Sequence, residues 1–375
     1  TAYPSPRSSP PRRQECAVLG AGGFVGARLV EVLNGDSRFN VRPVVRRFSA
    51  LSRVARFDLK WRLADAKNEA ELIRAFEGCE SVVHCAAVNP ADLDKNMEPV
   101  YRAAERAGVR RLAYLSSASV HGQSPEEGCD ERAALRDDQE LDYNNAKVRA
   151  EWELKRLRQS GRVEAITLRP GLVYGPRSRW IAETVRTISS GNAYLVGAGE
   201  GIFNGIYIDN LIHAILLSLT ADADRCDKQA FLLGEEPLVR WRDFVRVLCD
   251  GMNRSFETIS CVAGASEQRG GWKERIDSVR TSSLAKSVLP LIPAKSKRAV
   301  KAALAAYSAP EARTDWSLPA PLPLEVTREM TLLHQCRWKF PYKKAADALG
   351  YAPLFTFDEG MRRSIDWLKA AGLDG

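Results

Sequence analysis

From Glu15 onward short apolar runs alternate with amphipathic stretches. ECAVLG (15–20) reads as a buried strand, and FVGARLVEVLNG (24–35) has apolar positions at helical spacing with a closing glycine. VRPVV (41–45) and KWRLAD (60–65) follow as strands, then EAELIRAFEG (69–78) as a helix. SVVHCAA (81–87) is a strand, MEPVYRAAERAG (97–108) a helix, and RLAYLSS (111–117) a strand. A long helix around 139–159 leads to the strand EAITLRP (164–170). Nearly continuous apolar strands separated by helices predict an α/β fold, a doubly wound parallel Rossmann-like sheet with right-handed crossovers.

After Pro176 the alternation weakens, which predicts a smaller C-terminal substrate-binding domain. The expected division is a disordered Pro/Ser/Arg-rich arm at 1–14, a dinucleotide-binding domain at 15–175 that 203–235 rejoins, and a substrate domain at 176–202 and 236–375. Neither a signal peptide nor an initiator Met opens the chain, so a trimmed start is expected.

Composition changes this picture little. An apolar share of 45% excludes a disordered chain, and 55 Lys+Arg against 47 Asp+Glu leave only +8. The charges interleave, which argues against a nucleic-acid partner. No apolar run has the length of a membrane span. Eight scattered cysteines without Cys-x-x-Cys fit free thiols in a reducing, cytoplasmic setting, and four histidines show no metal-ligand spacing.

The chemistry begins where the first strand ends. Gly20, Gly23 and Gly26, with Phe24 and Val25 between them, lie at the strand-to-helix junction. Backbone lacking Cβ atoms there lets a pyrophosphate approach the helix N-terminus and its free N–H groups. The second strand should end beside the adenosine ribose, where an acidic residue would hold the 2′-hydroxyl of NAD. Arg46 and Arg47 stand there instead and suit a 2′-phosphate, favouring NADP(H) with NAD(H) as the alternative. Asp65, past the third strand, is a candidate for the adenine amino group. Further on, Tyr143 and Lys147 lie one turn apart on the same helix face, 26 residues after Ser117. An ammonium so placed would lower the phenol pKa for proton transfer.

With GAGGFVG (20–26), VVHCAA (82–87), YLSSASVHG (114–122), YNNAK (143–147), LRPGLVYGPR (168–177), IYIDN (206–210) and ALGYAPLFTFDEG (348–360), the chain resembles the extended short-chain dehydrogenase/reductases, also called the NAD-dependent epimerase/dehydratase family. The resemblance implies Tyr143 as general acid/base, Ser117 as hydrogen-bond partner of the substrate oxygen, and Lys147 on the nicotinamide ribose. It places Ala86 and Ala87 along the cofactor channel and Arg169 and Pro170 below the nicotinamide. It also implies a homodimer formed through helices at about 97–107 and 140–158.

Three departures narrow the reaction. Ala118 and Ser119 replace the acid pair of sugar-nucleotide dehydratases. Phe203 occupies the place where nucleotide-sugar members carry a diphosphate-clamping arginine, although Arg177 or Arg179 could substitute. Only Val88–Lys95 stands where those members have a longer substrate loop. The expected function is therefore NADP(H)-dependent hydride transfer to or from a ketone or secondary alcohol of a sugar-derived, polyketide or sterol-like substrate. The alternative is a nucleotide-sugar epimerase with retained NAD. Residues 282–309, with five basic residues and no acidic one, read either as a weak membrane-surface contact or as a helix pair packed inward.

Overall fold

Among the described residues seven parallel strands form the central sheet, in the order Ala230–Leu233, Glu164–Pro170, Arg111–Leu115, Ser81–His84, Gln14–Leu19, Phe39–Val45, Arg62–Leu63. The computed structural model describes residues 13–86, 93–264 and 326–373. Most of the N-terminal arm, Ala87, much of Val88–Lys95 and all of 282–309 lie outside the described residues.

The N-terminal half winds through β1 (Gln14–Leu19), α1 (Phe24–Gly35), β2 (Phe39–Val45), β3 (Arg62–Leu63), α2 (Glu69–Phe76), β4 (Ser81–His84), α3 (Met97–Arg106), β5 (Arg111–Leu115), α4 (Asp142–Ser160) and β6 (Glu164–Pro170). Side chains alternate across the sheet as the pleat requires. Cys16 and Val18 of β1 pack with α1, whereas Ala17 and Leu19 pack with α2, α3 and α4 on the other face. Both faces are covered, which is why the strands are apolar at nearly every position.

The third strand is shorter than KWRLAD predicts. β3 holds only Arg62 and Leu63, both exposed, at the sheet edge beyond β2. No described residue buries its outer side, and a short charged edge resists wrong pairing.

Beyond β6 come β7 (Leu172–Tyr174), α5 (Arg179–Ser189), β8 (Tyr194–Val196), β9 (Gly205–Tyr207), α6 (Ile208–Thr220), α7 (Ala223–Cys226), β10 (Ala230–Leu233), α8 (Trp241–Gly251) and β11 (Ser260–Val262). β10 joins the main sheet beside β6, while β7–β9 and β8–β11 make two small parallel pairs. The chain ends in α9 (Arg328–Gln335), α10 (Lys343–Leu349) and α11 (Phe357–Ala370). Buried Asn210 fastens this end by donating to the Phe355 carbonyl at 2.9 Å and accepting from the Leu354 and Phe355 amides at 2.8 and 2.9 Å.

Two buried histidines make stability depend on pH. His84 of β4 is 2% exposed and His334 of α9 is 4% exposed. Burial, helped by Lys147 at His84, lowers their pKa values to about 3 and about 4. Both are then neutral in the folded chain but protonate near pH 6.5 once unfolded. Below about pH 6.5 the unfolded state therefore binds more protons, and stability falls with pH by up to about 1.4 kcal/mol per pH unit for each histidine. Urea unfolding at pH 7 and pH 5 should show this loss, and His84→Asn with His334→Asn should flatten the slope. Equal slopes in the variant and the parent would contradict it.

Candidate active site

The glycine loop closes tightly on its neighbours. Gly20 has φ +91°, and a Cβ there would lie 2.6 Å from the Ala86 amide nitrogen; one on Gly26 would lie 2.2 Å from the Gly20 carbonyl oxygen. Gly23 is the exposed member, and it begins α1 with no side-chain cap on the first turn. Phe24 and Val25 are partly open beside it. Unfilled amides at a helix N-terminus behind backbone this bare fit a dinucleotide pyrophosphate.

Arg46 and Arg47 follow β2 directly and are both exposed. Asp65 is half-buried and closes its own turn, its carboxylate accepting from the Lys67 amide at 3.0 Å. Ala86 is half-buried against Gly20.

Ser117, Tyr143 and Lys147 come together where β5 ends against α4. The Ser117 oxygen accepts from the Ser119 amide at 3.2 Å and from the Ser119 hydroxyl at 2.9 Å. Both lone pairs are thereby filled, so its own O–H is left to donate. Tyr143 is 38% exposed as a residue, yet its hydroxyl end is desolvated. That burial raises its pKa above the ordinary tyrosine value, the Ser117 hydrogen bond pulls it partly back, and Glu329 of α9 pushes it up again. This differs from the expected lowering by Lys147. The ammonium lies 5.9 Å from the Tyr143 ring centre and donates to the Leu115 carbonyl at 2.8 Å and the Tyr114 hydroxyl at 3.3 Å. Burial lowers the Lys147 pKa to about 8, against the opposing pull of Glu151.

A buried polar network lies one further turn along α4. Glu151 accepts from Arg169 at 2.6 and 3.0 Å and from the Ser116 hydroxyl at 2.5 Å. Arg169 and Pro170 do end β6, both buried, but the Arg169 guanidinium is turned to Glu151 and to His121 Nε2, 3.0 Å away. Burial and Arg169 lower the His121 pKa to about 4, so the ring is neutral and its Nε2 accepts.

Two residues were missed in sequence: Glu151, whose Tyr-x-x-x-Lys-x-x-x-Glu spacing is a readable signal, and Glu329, which only the tertiary fold brings near Tyr143. Arg328 pins α9 to Glu140 just before α4, at 2.6 Å. Burial raises the Glu329 pKa, and its Oε1 accepts from Gln123 at 3.3 Å. Phe203 stacks on Phe244 with ring centres 4.4 Å apart and is fully buried, so that position carries core packing. Arg177 pairs with Glu31 of α1 at 3.5 Å and Arg179 with Glu183 of its own helix at 2.9 Å.

A family model described as "NAD dependent epimerase/dehydratase family" matches residues 16–234. The chain is 26% identical to 3beta-hydroxysteroid-dehydrogenase/decarboxylase isoform 1 of Arabidopsis thaliana, covering 94% of this chain and 79% of that protein. It is 28% identical to UDP-glucose 4-epimerase of Vibrio cholerae, covering 63% of this chain and 75% of that one. Its fold is that of the UDP-glucuronic acid 4-epimerase of Bacillus cereus solved with NAD, with TM-score 0.68, 15% identity, and coverage of 96% and 99% of the two chains. The chain belongs to the NAD-dependent epimerase/dehydratase family and is an NAD(P)-dependent dehydrogenase/reductase or epimerase.

Proposed function

We propose that this chain is an NADP(H)-dependent oxidoreductase acting on a ketone or secondary alcohol of a small molecule that is sugar-derived, polyketide or sterol-like. Among these the sterol-like class is favoured. The carrying observation is the cluster of Ser117, Tyr143 and Lys147. Ala118 and Ser119 offer no second acid or base to this cluster, and Ser119 is occupied in orienting Ser117. Buried Phe203 offers no charge to a diphosphate, and the relative matching 94% of the chain is named for a hydroxysteroid. A nucleotide-sugar epimerase is the second reading, supported by the likeness to UDP-glucose 4-epimerase.

When bound, the nicotinamide supplies or takes up the hydride. In reduction Tyr143 gives its proton to the carbonyl oxygen, and in alcohol oxidation it takes that proton back. Its raised pKa keeps the phenol protonated at neutral pH, which suits reduction. The Ser117 O–H donates to the same oxygen. Lys147 would meet the nicotinamide ribose, while Gly20, Gly23, Phe24, Val25, Gly26, Asp65 and Ala86 would form the rest of the cradle. Arg169 and Pro170 act from below by holding α4 and the end of β6. A reducing, cytoplasmic setting is proposed from eight cysteines scattered without a Cys-x-x-Cys pair, and α3 with α4 is the proposed homodimer face.

Two tests follow. Given NADPH and a hydrophobic cyclic ketone, the protein should consume cofactor in proportion to product; interconversion of UDP-sugars without net cofactor turnover would favour the epimerase. A charge-assisted phosphate contact is worth roughly 1.5–3 kcal/mol, or about 10- to 150-fold. Arg46→Ala with Arg47→Ala should weaken NADPH binding by about that factor and leave NADH nearly unchanged in calorimetric titration. Equal or tighter NADH binding by the parent chain would defeat the NADP(H) assignment.

Glu329 supplies a pH test. Its negative charge disfavours tyrosinate, so Glu329→Gln should shift the ascending limb of the alcohol-oxidation rate profile, where Tyr143 loses its proton, to lower pH. An unmoved limb, or one moved upward, would remove Glu329 from the surroundings of Tyr143.

A further inference from the structure

Seven large apolar side chains stand exposed among the described residues, and three of them share one stretch: Phe48 at 68%, Trp61 at 41% and Leu63 at 48%. Phe48 and Trp61 meet edge to face with ring centres 5.7 Å apart. Trp61 directly precedes β3, which holds Leu63. Beneath the aromatic pair lies a groove of about 370 Å³, lined chiefly by Phe48, Leu51, Val54, Phe57, Leu59 and Trp61. None of its lining comes from the glycine loop or from the Ser117–Tyr143–Lys147 cluster.

The rim is strongly basic. Between 46 and 62 stand Arg46, Arg47, Arg53, Arg56, Lys60 and Arg62, against Asp58 as the one acid. Arg56 is answered by Glu31; Arg46, Arg47, Lys60 and Arg62 are exposed, and because Arg46 and Arg47 are assigned to the cofactor phosphate, Lys60 and Arg62 are the cations left for a lipid. Exposed aromatic rings in a cationic rim match the headgroup layer of an anionic bilayer, where Trp and Phe settle at the interface and Lys and Arg meet lipid phosphates. A second copy of this chain would bring the same positive rim against itself, which disfavours a symmetric dimer here.

We propose that the surface formed by 46–63 docks the enzyme on anionic lipid membranes, with Phe48 and Trp61 entering the headgroup layer. No helix among the described residues is long and apolar enough to cross a membrane. The contact does not depend on which carbonyl the active site takes.

The test is co-sedimentation of the full chain with phosphatidylserine-containing vesicles and with pure phosphatidylcholine vesicles. The parent chain should bind the anionic vesicles, be released by salt, and leave neutral vesicles largely unbound. Phe48→Ser with Trp61→Ser, and separately Lys60→Glu with Arg62→Glu, should each lower partitioning by at least about 10-fold. Thermal unfolding of each variant checks that the fold is retained. Failure of the parent chain to bind anionic vesicles would overturn the proposal, as would full binding by both folded variants, which would move the contact to another segment. So would self-association in sedimentation velocity that these variants abolish without any vesicle binding.

Discussion

The ion pair between Glu151 and Arg169 is the constraint on which the site depends. The residues are 7% and 5% exposed, and the pair ties the middle of α4 to the end of β6. Removing one partner of such a pair leaves a buried charge uncompensated, typically at a cost of about 3–5 kcal/mol. Ser116 joins from the end of β5, so one carboxylate gathers the helix and two adjacent strands. Lys147 and Tyr143 lie one and two turns earlier on the same helix face. Their place over the strand ends therefore follows from where Glu151 is held.

Charge in this region is kept sparse. Burial, aided by nearby cations, keeps His84 and His121 neutral, while the Lys147 ammonium stands 5.9 Å from the Tyr143 ring centre. The ammonium is held by a backbone carbonyl and the Tyr114 hydroxyl, with a pKa brought down to about 8. Glu329 adds a negative influence from the C-terminal side. The balance holds a proton on Tyr143 at neutral pH, as a reductase requires at rest.

Much of the fold is legible in the chain because both sheet faces are covered and the periods are strong. FVGARLVEVLNG and EAITLRP become α1 and β6 with the expected bounds. KWRLAD forms a strand only at Arg62 and Leu63, which pair with β2 at the exposed sheet edge. The glycine loop and the Tyr143–Lys147 spacing are local patterns and could be read directly. Bonds linking Glu151 to Arg169, 18 residues on, and Arg169 to His121, 48 residues back, carry no local period. The approach of Glu329 to Tyr143 depends on α9 folding back and on the Arg328–Glu140 pair. Even the direction of the Tyr143 shift required knowing that its hydroxyl is desolvated.

The central claim is that the phenol of Tyr143 moves the proton while the surrounding residues only hold and tune it. The direct measurement is Tyr143→Phe assayed for steady-state turnover and, in parallel, for NADPH affinity. Loss of a general acid/base predicts a fall in turnover of about 10²–10⁴-fold, with cofactor affinity nearly unchanged. A Phe variant turning over at close to the parent rate on the same substrate would contradict the account.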